Sequence, residues 1–407
     1  TVPLATTVPL DRAAFRRVAA EAVAAQRGVV FCGADTSHVD AIAAVELAHW
    51  LGWPLLASAT SSVATALDAP VMVRAYDAIL SGETASGGEL IRPAEVVIQV
   101  GRAPLAKTAL AWLSRADRRF IVNRCGDLHD PARTATQVLV GDVATLSSEV
   151  RALCEVGRPL PYAAAWQLAE RAANDQIQRL DSTEWEGGAV RAVLATVRPG
   201  DACHLAASTV VRDANGYGGR LAAGVRISAN RGLNGIDGLV ATAVGAAFAG
   251  GATTLICGDL ALLHDASGLL LAGQLEIDLR VVVINNDGGG IFRQLPIVEH
   301  RTAFDRLFRT RQNIAISALA AAANAEYSHV DTLDALRAAV VAAPVGLQVV
   351  EFTVEVEASE AVRRNLRHAI AASIAPIFRD FRAAEQVAEP SPSERPSALQ
   401  HVFGGGR

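Results

Sequence analysis

Residues 258–290 read GDLALLHDASGLLLAGQLEIDLRVVVINNDGGG, and this stretch constrains the fold more than any other. An apolar run enters Gly258-Asp259, one crossover of helical composition follows, and a second apolar run ends in Asn285-Asn286-Asp287 and three glycines. Strands that are apolar on both faces belong inside a parallel sheet covered by helices. Two parallel strands joined by one crossover end at the same sheet edge, where open α/β sheets bind their ligands. Asp259 and Asn286 are therefore predicted to meet at that edge.

The same alternation runs through the rest of the chain. The pattern predicts a helix over 11–26, a strand at 28–32, a helix over 37–51, and strands near 53–57, 95–100 and 120–122. A helix-rich connection over 161–195 leads to strands near 202–207, 225–229, 252–257, 280–285 and 347–354. The expected fold class is α/β, two doubly wound parallel-sheet domains over 1–155 and 156–385. The proline-, serine- and glycine-rich segment 386–407 is expected to be a disordered tail. The uncharged run 238–257 is as long as a membrane span, but its Ala/Gly content and flanking aspartates predict a buried helix and strand instead. A net charge of −5 gives no bulk reason to expect nucleic acid or an anionic membrane as partner. Five cysteines without a CxxC pair are expected to be reduced, buried thiols of a cytoplasmic protein.

Four predicted strand ends of the second unit carry polar groups. They are Ser208 and Arg212, then Asn230 and Arg231, then Gly258-Asp259, then Asn286-Asp287 with the glycines. Magnesium takes about six oxygens, two of them usually from a diphosphate. Asp259, the Asn286 amide oxygen and the Gly288 carbonyl form a suitable set, with N–H groups of Gly258, Asp259, Leu260 and Ala261 left for phosphate. Arg212 and Arg231 suit carboxylates through the guanidinium fork. Each residue also has a plainer explanation: Asp259 as a helix cap, 286–288 as a tight turn, the arginines as surface ion-pair partners. Ile291, Phe292 and Leu295 either line an apolar wall or pack in the core, and Lys107 reads on composition as a surface lysine.

The segments ANRGLNGIDGL (229–239), GDLALLHD (258–265) and NNDGGGIFRQLP (285–296) resemble the diphosphate-binding domain of thiamine-diphosphate enzymes. Within these they are similar to the 2-succinyl-5-enolpyruvyl-6-hydroxy-3-cyclohexene-1-carboxylate synthases of menaquinone biosynthesis. The resemblance covers nearly the whole chain and makes 1–155 the family's central domain, which binds no cofactor. It implies a transferase that decarboxylates 2-oxoglutarate and adds the succinic semialdehyde carbanion to isochorismate. The implied cofactors are thiamine diphosphate and Mg2+ or Mn2+, the metal on Asp259, Asn286 and Gly288. Ile236 is then the apolar wedge that bends the cofactor, and Gly258, Leu260, Ala261 and Ile291 are its other contacts. Ser208, Arg212, Arg231, Lys107, Phe292 and Leu295 fall at substrate positions. Ala207 and Thr108 depart from the pattern, at places where asparagine and arginine occur. A homodimer or dimer of dimers is also implied by the resemblance.

The family's activating glutamate lies in an N-terminal pyrimidine-binding domain, and no glutamate of this sequence has the expected context. The expectation is that this chain lacks that domain and is inactive alone. Two other readings remain: another thiamine-diphosphate lyase or carboligase related to acetolactate synthase, or a non-catalytic or split-enzyme module that binds metal and diphosphate.

Overall fold

The computed structural model describes residues 10–388 apart from 67–68, 156, 158–159 and 232–234. Its first sheet contains β1 (Gly28–Cys32), β2 (Leu55–Ala57), β3 (Met72–Val73), β4 (Val96–Val100), β5 (Arg118–Asn123) and β6 (Gln137–Val140). They lie in the order β3-β2-β1-β4-β5-β6, every pair parallel. The second sheet contains β7 (Ala202–Leu205), β8 (Arg226–Ala229), β9 (Thr253–Gly258), β10 (Leu279–Asn285), β11 (Glu326–Val330) and β12 (Leu347–Thr353). Its order is β11-β12-β10-β9-β7-β8, again all parallel. Two doubly wound parallel α/β sheets are thus present, as the alternation predicted.

The central strands are legible because both their faces are buried. All five residues of β1 and of β4 are enclosed, as are six of the seven in β10. Three strands escape the sequence pattern, and each is a sheet edge. β3 has two residues, β6 is half-buried, and β11 (EYSHV) alternates between half-buried and exposed positions. An edge strand packs on fewer neighbours, so it carries no continuous apolar run.

The run 238–257 folds as the helix Leu239–Phe248 followed by β9. Among the described residues no helix is long and apolar enough to cross a membrane. Three cysteines, Cys32, Cys203 and Cys257, are buried as expected, but Cys125 is exposed and Cys154 only half-buried. Cys125 sits in a turn just past β5, where the Asn123 Oδ1 accepts the N–H groups of residues 125, 126 and 127. The tail does not begin at 386, because the helix Val356–Ala388 continues through the helix-forming residues EQVA. Residues 389–407 lie outside the described residues.

One face of the first sheet is covered by the helices Arg12–Ala24, His38–Leu51 and Val143–Arg151. The other is covered by Tyr76–Ala85 and Lys107–Leu113, and also by two helices from beyond residue 155, Pro161–Gln178 and Val356–Ala388. An aromatic cluster joins them: Trp166 meets Trp112 edge-on at 5.4 Å and Phe378 at 5.8 Å, while Tyr162 meets Phe381 at 5.4 Å. Phe378→Ala should destabilise the protein by about 3–5 kcal/mol through lost burial and the cavity left behind. A urea midpoint equal to wild type would show that this contact does not hold the long helix to the first sheet.

Candidate functional site

The switch point of the second sheet lies between β7 and β9, since the chain runs from β7 outward to β8 and then returns to the other side of β7. A cleft opens there, at the carboxyl ends of β7, β9 and β10. β7 contributes Ser208, β9 contributes Gly258, Asp259, Leu260 and Ala261, and the loop after β10 contributes Asn286, Gly288, Ile291 and Phe292. Ile236 enters from the segment before the helix Leu239–Phe248.

The register of β10 on β9 sets Ile284 opposite Gly258, so both strands release their next residues at the same level. Asp259 begins the short helix Asp259–His264 and is buried. Burial pushes its carboxyl up to about 6, against backbone N–H donors that favour the charged form. One of those donors is Gly288 N, which lies 2.8 Å from Asp259 Oδ2 and ties the two strand ends directly. Gly288 has φ +121°, and a Cβ there would come within 2.0 Å of the Arg309 carbonyl oxygen. Only glycine fits this turn.

The two polar residues before Gly288 have separate tasks. Asp287 adopts φ +60°, held by its N–H donating to Asn285 Oδ1. Its carboxylate faces Arg309 at 3.5 Å and Arg311 at 3.3 Å, and is neutralised there. Asn286 faces the cleft, donating through Nδ2 to Glu186, and its Oδ1 is buried without a hydrogen-bond partner. The same cleft is thus lined by a buried, unpartnered amide oxygen and a buried carboxylate, both oxygen acceptors. Such a set fits a hard cation that prefers oxygen ligands. The Gly288 carbonyl accepts from Gly290 N at 2.9 Å and keeps a second lone pair.

Ser208 occupies φ +80°, ψ −136°, a region that side chains rarely adopt, and it caps the helix Thr209–Tyr217. Backbone strain of this kind is concentrated at ligand sites. Arg212, half-buried one turn later, donates from Nη1 to the Ser208 carbonyl at 2.5 Å. Arg231 borders a neighbouring crevice with Arg102 and His129 rather than the cleft itself. Burial lowers the pKa of Arg231, and Arg212 and Arg102 lower it further by repulsion. The three guanidinium groups are therefore close enough to feel one another. Lys107 is exposed at the start of its helix, and Leu295 is 40% exposed outside the cleft lining. Residues 232–234, which precede the Ile236 segment, lie outside the described residues.

Glu186 and Asp213 also line the cleft, although no motif or spacing around them singles them out. Glu186 stands 100 positions from Asn286, at the start of the helix Glu186–Leu194. The one available signal was an acidic first-turn residue in EGGAVRAVL, which reads equally well as an ordinary helix start.

Residues 10–202 match the family described as "Middle domain of thiamine pyrophosphate", and 224–372 match "Thiamine pyrophosphate enzyme, C-terminal TPP binding domain". A 2-succinyl-5-enolpyruvyl-6-hydroxy-3-cyclohexene-1-carboxylate synthase of Thermobifida fusca is 37% identical over 357 residues, 86% of this chain and 61% of that protein. The synthase of Geobacillus thermodenitrificans is 35% identical over 303 residues, 72% of this chain and 50% of that protein. The chain thus spans about half to three-fifths of the length of these relatives. Among solved structures, a benzoylformate decarboxylase from Polynucleobacter necessarius superposes with a TM-score of 0.62 at 14% identity, over 88% of this chain and 67% of that one. At that identity the likeness concerns the fold alone. The chain belongs to the thiamine-diphosphate-dependent enzymes, carrying their middle domain and their C-terminal cofactor-binding domain, and it is similar to the 2-succinyl-5-enolpyruvyl-6-hydroxy-3-cyclohexene-1-carboxylate synthases.

Proposed function

We propose that the cleft between β7 and β9 holds thiamine diphosphate through Mg2+ or Mn2+. The enzyme would then be a transferase that decarboxylates 2-oxoglutarate and joins the resulting four-carbon unit to isochorismate. The observation that carries the cofactor half is the buried, unpartnered Asn286 Oδ1 beside the buried Asp259 carboxylate. Asp259, Asn286 and the Gly288 carbonyl are the metal ligands in this reading. The backbone from Gly258 to Ala261 faces the diphosphate, and Ile236 and Ile291 supply its apolar contacts. When bound, the cofactor supplies the electron sink for decarboxylation and carbon–carbon bond formation.

The protein's own groups account for the choice of acidic substrates. Arg231 borders the crevice beside the cleft with Arg102, Arg212 stands one turn beyond Ser208, and the guanidinium fork of either Arg231 or Arg212 suits a substrate carboxylate. Ser208 presents its hydroxyl at the cleft wall, and Phe292 covers the apolar side. Lys107 and Leu295 border the approach in this reading and act on isochorismate rather than on the cofactor. Turnover further requires the activating glutamate of a pyrimidine-binding domain, and the working assembly is a homodimer or a dimer of dimers.

Asp259→Ala should abolish magnesium-dependent thiamine diphosphate binding measured by calorimetry, because the only acidic ligand is lost. Unchanged affinity would remove Asp259 from the metal site. In the enzyme with its pyrimidine-binding domain present, Arg231→Ala should leave cofactor affinity intact and raise KM for 2-oxoglutarate or isochorismate by roughly tenfold or more, the worth of one charge-assisted contact. Normal KM values would exclude that role. Release of CO2 from labelled pyruvate in place of 2-oxoglutarate would redirect the assignment to an acetolactate-synthase-like carboligase.

A further inference from the structure

Behind the cleft lies a group of buried ions that cofactor binding alone does not require. Glu186 is 3% exposed, Asp213 1% and Arg363 3%. Arg363 comes from the helix Val356–Ala388 and grips Asp213 with both outer nitrogens, one of them 3.0 Å from Oδ2. The nitrogen that makes this 3.0 Å bond also donates to Glu186 Oε2, again at 3.0 Å. The other Glu186 oxygen, Oε1, accepts from Asn286 Nδ2. The Glu186 backbone N–H donates to Ser359 Oγ at 3.1 Å, so the residue is fixed to the long helix by backbone and side chain alike.

The two ends of an asparagine amide are nearly the same size, and only its hydrogen-bond partners decide which end faces a ligand. If Asn286 turned over, Nδ2 would face the cation position and repel it. Glu186 prevents this, because a carboxylate accepts hydrogen bonds and donates none. Burial raises the pKa of Glu186, and the Arg363 charge opposes that shift. Arg363 in turn is compensated by Asp213 and stacks over the rings of Trp185 and Tyr217 at 5.7 and 5.8 Å. A buried charge chain of this kind is tolerable only when every member is paired.

We propose that Glu186 is a positioning residue for the metal site: it orients the Asn286 amide so that Oδ1 faces the cation, and Arg363 and the Ser359 hydroxyl hold Glu186 in place. The proposal rests on the metal reading of the cleft given above. It makes Glu186→Gln, an almost isosteric change, informative. Glutamine has one acceptor oxygen where glutamate has two. Arg363 claims that oxygen, and the glutamine –NH2 then confronts Asn286 Nδ2 and forces the asparagine amide to turn.

The test is a titration of the full chain with Mn2+ in the presence of thiamine diphosphate, with free Mn2+ followed by electron paramagnetic resonance. Glu186→Gln should weaken Mn2+ binding by about 10- to 100-fold, as loss of a partner that orients a metal ligand does, while the melting temperature without metal stays near wild type. Equal Mn2+ affinity in Glu186→Gln and wild type overturns the proposal and leaves the metal reading standing. No Mn2+ binding by the wild type overturns both. A crystal of the wild type grown with Mn2+ gives a check that does not depend on how any variant folds. Manganese bound to Asn286 Oδ1, with Nδ2 on Glu186, supports the proposal; manganese bound directly to the Glu186 carboxylate overturns it.

Discussion

The site depends first on the pairing of β9 with β10. Ile284 stands opposite Gly258, and β10 is locked on its other side by seven paired residues of β12. A slip of one residue would turn every side chain of β10 to the opposite face. Because six residues of β10 are buried, counting both faces, such a slip would force every one of them to repack against the helices of the other face. The core therefore fixes the level at which Asp259 and Asn286 emerge. The Asp259–Gly288 hydrogen bond then closes the two strand ends on each other.

A second constraint is charge compensation. Asp259 leaves the end of β9 while Asn286 and Asp287 leave the end of β10, and Asp287 is paired with Arg309 and Arg311. Asp259 accepts backbone N–H groups including that of Gly288, and Asn286 Oδ1 has no hydrogen-bond partner. Behind them, Arg363 gathers Asp213 and Glu186. Its helix, 33 residues and so about 50 Å long, runs on to Phe378 and Phe381 in the aromatic cluster over the first sheet. One element thus supports the cleft of the second sheet and packs against the first.

The fold is shared with enzymes of quite different substrates, so fold membership does not choose a substrate. In this chain the distinguishing features are Arg231 and Arg102 together in the crevice beside the cleft and the strained Ser208 in the cleft lining. They lie on loops at strand ends, where chemistry changes without disturbing the parallel sheets beneath.

Several features were legible in the sequence because they are local. The central strands announced themselves by unbroken apolar runs, the crossover by its length, and the meeting of Asp259 and Asn286 at one sheet edge by GD and NN at one-crossover spacing. The edge strands β3, β6 and β11 were not legible, since half-exposed strands carry no such run. Nor was the helical continuation to Ala388, where composition suggested a tail but the helix is extended from a packed segment. Glu186, Asp213 and Arg363 stand far apart in sequence and meet only when the helices Glu186–Leu194, Thr209–Tyr217 and Val356–Ala388 converge behind the cleft. The sequence by itself determined two parallel sheets and which strand ends carry Asp259 and Asn286, because periodicity and crossover length are properties of neighbouring residues. Only the tertiary structure decided which end of the Asn286 amide faces the cleft, because that depends on charges brought together from distant parts of the chain.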